Sequence, residues 1–224
     1  MSRLYIGING GAGWATSESN LNVGGLLAAP PFSIPGIAAN LPLSSHGLNG
    51  FLAGGQVGYN WQTGKFLLGI EGDGDWANIK GTTPCVIIFA CTAKERWNAD
   101  ITARVGVLPM SDLLVYVKGG ATWANMNYTF GNSITIAGAG GGTASVTSNV
   151  TNTQVGGLLG FGTEYMFLPH WTAKIEYDYA DYGKHNQNFP VTASATGIGA
   201  VTINAPIQTN LQVHTMKAGI NYLF

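Results

Sequence analysis

The last eleven residues of the chain alternate between apolar and polar side chains up to the terminal carboxylate. An alternation of period two indicates a β-strand with one apolar face. A strand that ends a chain still has two edges that need partners, and the first predicted strand, at about 4–14, has the same alternation and the same need. Pairing these two strands predicts a sheet that closes into a barrel.

Alternating segments predict eight strands in all, at about 3–15, 48–62, 65–77, 95–108, 113–126, 153–167, 171–182 and 211–224. The connections between them alternate in length. Tight turns are predicted at 62–64, 109–112 and 168–170, and long loops rich in Gly, Ser, Thr, Asn and Pro at 16–47, 78–94, 127–152 and 183–210. Short connections on one side and long ones on the other are typical of a transmembrane barrel. We therefore predict one all-β domain over 1–224, an eight-stranded antiparallel up-and-down transmembrane β-barrel with four long extracellular loops and three short periplasmic turns.

The two faces of the predicted strands differ sharply in composition. All six tryptophans fall on the apolar parity, and twelve of the 21 charged residues fall on the other, among many glycines. In a soluble barrel of the lipocalin type the apolar face would be the core. In a membrane barrel the assignment is inverted, with the apolar face toward lipid.

Three observations favour the inverted assignment. Only 9% of the residues are charged against 46% hydrophobic, a poor composition for a surface in water. An eight-stranded barrel is too narrow inside to hold six tryptophans. Aromatic residues also recur ten residues apart, as in the pairs Phe51 with Trp61 and Phe66 with Trp76. Ten tilted residues climb about 25 Å, the height of the apolar band between two aromatic girdles. The predicted girdle residues are Trp14, Trp61, Trp76, Trp97, Trp123, Trp171, Tyr222 and Phe224.

The charged parity is predicted to form a network inside the lumen. Its members are Glu71, Asp73, Arg96, Asp100, Arg104, Lys118, Glu164, Lys174, Glu176, Asp178 and Lys217. These charges could line a conduction path, or they could pair into a salt-bridged plug. We favour the plug, because a barrel of eight strands is filled by its own side chains.

Several segments together resemble a known family. They are Gly69 to Asp73 followed by Trp76; Arg104 to Gly106; Gly160 to Tyr165 running on through Trp171, Lys174 and Glu176-Tyr177 to Asp181-Tyr182-Gly183; and Lys217 to Tyr222 with the terminal Phe224. The chain resembles the small outer-membrane proteins of alphaproteobacteria called the porin or outer-membrane immunogenic protein family, related in architecture to OmpA-like barrels. The resemblance implies that Phe224 is a signal for the barrel-assembly machinery. It also implies an abundant envelope protein, with some members linked to haem binding or host contact.

Cys85 and Cys91 lie six positions apart in one predicted loop. In an oxidising compartment such a pair is predicted to form a local disulfide. The enclosed apolar segment 86–90 is then either part of a rigidified loop or an apolar knob for a partner or for lipopolysaccharide acyl chains. The chain also enters strand pattern directly after its first residues, so we expect a mature chain whose export signal has been removed.

No spacing of the histidines predicts catalysis or metal binding. A hydrolase site would need a His aligned with Ser or Asp near one rim, and His214 beside Thr215 or His185 near Asp181 come nearest to this. Haem contact through His46, His185 or the aromatic residues of the loops remains an alternative. We predict no enzyme, no cofactor and no metal, and the balance of ten basic and eleven acidic residues gives no case for nucleic acid.

The leading interpretation is an integral protein of the bacterial outer membrane with a structural envelope role and surface-displayed loops. Its expected partners are outer-membrane lipid and lipopolysaccharide, and the barrel-assembly machinery during biogenesis. The alternatives are a surface protein that binds haem, a host or a partner protein through its loops, and a narrow porin.

Overall fold

A computed structural model of the chain describes residues 3–22, 40–85, 89–136, 142–195 and 199–224. Eight strands run through these ranges: β1 Leu4–Asn22, β2 Asn40–Thr63, β3 Phe66–Cys85, β4 Phe89–Val107, β5 Leu113–Ile136, β6 Gly142–Leu168, β7 Trp171–Ala195 and β8 Gly199–Leu223. Among the described residues, no helix has the length and apolarity needed to cross a membrane.

The strands form a closed barrel in sequence order, and each is antiparallel to its neighbours. The ring closes where β1 pairs with β8, with Tyr5 opposite Leu223. Beyond that pair, the amide N of Phe224 donates to the carbonyl O of Leu4 at 2.9 Å. The predicted pairing of the first and last strands is therefore confirmed. The three predicted tight turns are confirmed as well, between β2 and β3, between β4 and β5, and between β6 and β7. Gly64 has φ 63° in the first turn, a conformation that favours glycine.

The strands are much longer than predicted. Most of the residues assigned to long loops continue the strand ladder, so the predicted loop boundaries were wrong. For example, 127–136 pair with 142–151 in the β5–β6 hairpin. Two physical features hide these extensions in the sequence. The register shifts within β4 and β7 break the period of two, and the hairpin arms are rich in Ser, Thr, Asn and Gly, which are as typical of loops as of strands. Paired hydroxyls such as Thr192 and Thr202, 2.9 Å apart, lie across these arms.

The two faces of the wall have the inverted assignment. Outward side chains are large and apolar, with Phe51 78%, Trp76 74% and Ile8 70% exposed, whereas Arg104 is 0% and Lys174 1% exposed in the lumen. Apolar side chains thus surround the barrel, and ionised side chains occupy its axis. The apolar outer face confirms the prediction of a membrane barrel and not a soluble one.

Candidate functional site in the barrel lumen

The lumen collects charged side chains from six of the eight strands. The buried charged residues are Glu71, Asp73 and Asp75 on β3; Glu95, Asp100 and Arg104 on β4; Lys118 on β5; Glu164 on β6; Lys174, Glu176 and Asp178 on β7; and Lys217 on β8. Strands β1 and β2 contribute uncharged polar groups instead. Eight buried acidic residues therefore face four buried basic ones, and all of these groups except Glu95 form two layers.

The first layer, which we call the balanced layer, contains three acidic and three basic residues: Glu71, Arg104, Lys118, Glu164, Lys174 and Glu176. Arg104 is its centre. Its Nη1 lies 3.1 Å from Oε2 of Glu164 and 3.7 Å from Oε2 of Glu71. The guanidinium carbon lies 4.7 Å from the ring centre of Tyr5 and 5.1 Å from that of Tyr116. The arginine is thus held by opposite charges and by two aromatic faces in a site without exposure to solvent.

The two lysines of the balanced layer bind the remaining carboxylates. Lys118 Nζ lies 2.6 Å from Oε1 of Glu176, and Lys174 Nζ lies 3.2 Å from Oε1 of Glu71. Tyr5 donates to Glu71 and Tyr116 donates to Glu176, each at 2.7 Å. Every ion in this layer therefore has an opposite charge close enough to offset part of its desolvation.

A chain of amide groups links β1 and β2 to these charges. Asn9 Nδ2 donates to Gln56 and to Asp73, each at 2.7 Å. Gln56 donates to Asn221 at 2.7 Å, and Asn221 donates to Glu164 at 2.9 Å. The polar network thus passes around the whole interior, including the two strands that carry no buried charge.

The second layer, which we call the acidic layer, surrounds Lys217 with Asp73, Asp75, Asp100 and Asp178. Lys217 Nζ lies 2.9 Å from Asp73, 3.4 Å from Asp75 and 3.4 Å from Asp178. Lys118 also reaches Asp178 at 3.4 Å and joins the two layers. Four carboxylates thus share one dedicated ammonium.

The acidic layer borders a small cavity of about 20 Å³. Asp75, Asp100 and Asp178 each line it and each have a buried carboxylate oxygen, Oδ1, with no hydrogen-bond partner among the described residues. Glu95 lies on the same cavity and accepts from Asn98 at 2.8 Å. A volume of this size is about that of one water molecule. No group of His, Cys, Asp or Glu within the described ranges is arranged to hold a metal ion.

Apolar side chains occupy the lumen on both sides of the charges. Near the short turns, Leu67, Leu108, Leu114 and Tyr116 form one buried cluster. Toward the hairpins, a larger cluster contains Ala15, Leu48, Leu52, Ala77, Ile79, Ala93, Ala124, Met126, Tyr128, Ala180, Tyr182, Leu211 and Val213. These apolar layers were not predicted. Several strands were expected to end at the height of the larger cluster, for example at 15, 77, 126 and 182, so its residues were taken for strand ends and not for an interior layer.

Ten of the eleven residues predicted for the lumen network lie buried together, and Arg96 does not. Arg96 is exposed on the outer wall, and its neighbour Glu95 is 1% exposed inside. The cause is a shift of the β4 register at this point, against β3 between Trp76 and Ile79 and against β5 between Glu95 and Trp97. The assignment of Arg96 to the lumen was therefore wrong, and the lumen gains an acid where a base was expected.

The eight aromatic residues predicted for the girdle all lie on the outer wall. Trp61, Trp171, Tyr222 and Phe224 lie near the short-turn end, and Trp14, Trp76, Trp97 and Trp123 lie toward the hairpins. Near the short turns the rings contact each other, with Tyr222 5.1 Å from both Trp171 and Phe224 between ring centres.

The structure does not bring the candidate catalytic pairs together. His214 stacks on Trp14 at 5.9 Å and hydrogen-bonds Tyr177 on the outer wall, whereas Thr215 is buried in the lumen. His185 hydrogen-bonds the carbonyl of Tyr182. The side chain of His46 lies outside the described residues.

The side chains of Cys85 and Cys91 also lie outside the described residues, so the disulfide stays a prediction. In the backbone register Cys85 is opposite Phe89, and Cys91 is opposite Thr83. The two cysteines are thus diagonal neighbours across the β3–β4 hairpin, not a directly opposed pair.

The family model described as "Outer membrane protein beta-barrel domain" matches residues 2–224. The chain belongs to this family of outer-membrane β-barrels.

The 31 kDa outer-membrane immunogenic protein of Brucella melitensis is 28% identical over 180 residues, which are 78% of this chain and 67% of the relative. The 22 kDa outer membrane protein of Rhizobium leguminosarum is 29% identical over 135 residues, 58% of this chain and 52% of that protein. Among solved structures, Ail, the attachment invasion locus protein of Yersinia pestis, is similar with a TM-score of 0.45 and 11% identity, covering 100% of both chains. The protein is an integral protein of the bacterial outer membrane.

Sequence reasoning missed several members of this outer-membrane barrel's lumen. Tyr5, Asn9, Gln56, Asn60 and Tyr116 are all buried and hydrogen-bonded there. Each lies on the inward parity of its strand, so the alternation alone could have found them. They were overlooked because only charged side chains were assigned to the network.

Proposed function

We propose that the protein is a structural component of the outer membrane whose lumen is closed by its own side chains. The observation that carries this proposal is the filling of the axis: a fully buried ion-pair network lies between two buried apolar clusters. In a barrel of eight strands the interior is just wide enough for such side chains. The proposal assigns no pore and no enzymatic activity to the barrel.

Recordings in planar bilayers test the closed lumen. We expect the folded protein to give no stable, reproducible ohmic channel. Migration that differs between boiled and unboiled samples verifies that the protein in the assay is folded. The double variant Arg104→Ala with Glu164→Ala removes both partners of one buried ion pair, so neither is left unpaired. Because two large side chains are then missing from the lumen, a current is easier to detect in this variant, and it serves as the comparator for the unchanged protein. Ohmic steps of constant size from the unchanged protein would contradict the proposal.

The structural role is tested in cells that lack the protein. We expect the deletion to increase sensitivity to detergents and large antibiotics, and we expect the intact chain to restore resistance. A deletion that leaves the permeability of the envelope unchanged would contradict a structural role.

The length of the hairpins supports a second candidate, a surface binding protein. Strands of 19 to 27 residues span roughly 50–70 Å along the axis, against about 25 Å for the apolar band. The hairpins therefore project well beyond the membrane and present large polar surfaces to haem, a host or a partner protein. A series of variants that each lack one hairpin tip separates the candidates, because binding would be lost with one tip while resistance to detergents would not.

A further inference from the structure

We infer that the outer wall of β3 and β4 carries a binding site for the phosphate groups of lipopolysaccharide, formed by Lys80, Lys94 and Arg96. The inference rests on the outer-membrane location of the barrel and is independent of whether its lumen is closed. All three side chains lie on the hairpin side of the membrane band, and none of them belongs to the lumen network.

Two of the cations form a like-charge pair. Lys80 and Lys94 are directly opposite each other in the β3–β4 register. Their side chains share the outer face, because the flanking Ile79, Ala93 and Glu95 are buried inside. Neither ammonium has an ion pair with a described residue. Like charges directly opposite each other destabilise a sheet, and an anion held between them removes that repulsion.

The third cation reaches the same wall through the irregularity in β4. The register shift at Arg96 places its guanidinium outside, where a regular strand would have placed it in the lumen. A guanidinium matches phosphate with two parallel hydrogen bonds, and an ammonium binds phosphate as a point charge. The three side chains together thus have the chemistry of a phosphate site.

The surroundings of the three cations contain no competing carboxylate. The eleven acidic residues all lie within the described part of the chain, and eight of them are buried in the lumen. Of the other three, Asp112 lies in a short turn, and Glu18 and Asp181 lie on β1 and β7, outside β3 and β4. The neighbours on the outer face are amides such as Asn49 and Asn127, opposite Lys80 and Lys94 respectively. The patch is therefore complementary to an anionic ligand.

The height of the patch identifies the anion as a lipid headgroup. Trp76 and Trp97 are directly opposite each other and face outward, 74% and 40% exposed. Exposed tryptophans mark the interface between acyl chains and headgroups. Lys80 lies four residues beyond Trp76, about 10 Å further toward the hairpins. Long basic side chains at that height reach the phosphates at the base of a lipopolysaccharide headgroup.

The test compares two triple variants of the folded, full-length protein. The first is Lys80→Gln, Lys94→Gln and Arg96→Gln. The second removes the same charge elsewhere on the outside, through Arg3→Gln, Lys65→Gln and Lys184→Gln. Binding is measured with lipopolysaccharide in its phosphorylated form and after phosphatase treatment. We expect the first variant to bind the phosphorylated form about 10- to 100-fold more weakly than the unchanged protein, the second to bind within about twofold of it, and the difference to vanish with the dephosphorylated lipid.

Three results would overturn the inference. Equal losses in both triple variants would show a general charge effect. A loss that persists with the dephosphorylated lipid would show that phosphate is not what the patch recognises. Binding of inorganic phosphate as tight as that of lipopolysaccharide would show a simple anion site and no lipid site.

A single variant keeps the inference testable if the triple variant fails to fold. In a zwitterionic detergent without phosphate, Lys94→Gln removes a repulsion and is expected to raise the urea concentration at the midpoint of unfolding. With lipopolysaccharide present it removes a ligand contact and is expected to lower that midpoint. The same sign of change in both conditions would contradict an anion between Lys80 and Lys94.

Discussion

Lys217 is the residue on which the acidic layer depends. Its ammonium is the cation nearest to Asp73 and Asp75 and shares Asp178 with Lys118. Replacing it with the apolar isostere Met leaves buried carboxylates without a counter-charge. We expect Lys217→Met to lower the free energy of unfolding by roughly 3–5 kcal/mol, measured by urea titration of the protein in lipid vesicles.

Asp100 provides the contrasting substitution within the same layer. Its Oδ1 has no hydrogen-bond partner among the described residues, and its side chain is 3% exposed. Since the layer has an excess of acids, Asp100→Asn removes repulsion and is expected to leave the free energy of unfolding unchanged or to raise it. If Asp100→Asn destabilised the barrel as strongly as Lys217→Met, the description of the layer as over-acidic would be wrong.

The seam between β1 and β8 requires a glycine on its inner side. A Cβ added at Gly11 would collide with the carbonyl oxygen of Met216 and would lie 2.9 Å from the Cα of Lys217. Both contacts are to backbone, so the strand itself would have to move. At the adjacent Gly10, on the outer face, the nearest heavy atom would be 3.6 Å away.

We therefore expect opposite outcomes from two neighbouring substitutions. Gly11→Ala crowds the closing seam and should lower the free energy of unfolding by about 1–3 kcal/mol. Gly10→Ala should be neutral or should stabilise by up to about 1 kcal/mol. Urea titration of both variants in vesicles gives the comparison, and equal effects at the two positions would show that backbone crowding at the seam is not the cause.

The same elements show how far the sequence could be interpreted. Alternation identified the eight strands, their closure and ten lumen charges, because each of those segments buries one face and exposes the other. It failed at Arg96, where a register shift reverses the faces without any change in composition. It also failed in the hairpin arms, since their many Ser, Thr, Asn and Gly residues are as typical of loops as of strands with one face in water. The pairing geometry of the acidic layer depends on side-chain contacts across four strands, β3, β4, β7 and β8, which no single strand encodes.

At the scale of the whole molecule, the protein separates its charges radially. The lumen holds eight acidic and four basic residues, and the outside therefore holds three acidic and six basic ones. A chain with a formal net charge of −1 thus has an acidic axis and a basic exterior. The outer charges lie at the two ends of the wall, and apolar and aromatic side chains occupy the height between them.

This arrangement predicts where each tryptophan lies in a bilayer. Variants that retain only Trp61 or only Trp76 place the fluorophore at the short-turn end or the hairpin end of the apolar band. In a background without tryptophan, Ile101→Trp places the fluorophore between these two ends, since Ile101 is 62% exposed and lies four residues from Trp97 toward the short turns.

We expect Trp61 and Trp76 to be quenched more by lipids brominated near the headgroup, and Ile101→Trp more by lipids brominated near the chain end. The physical reason is that tryptophans mark both interfaces, about 25 Å apart, with the middle of the wall in hydrocarbon. If Trp76 were quenched only by water-soluble iodide, the membrane band would end below it, and the phosphate site inferred above would lie too far from the lipid to act.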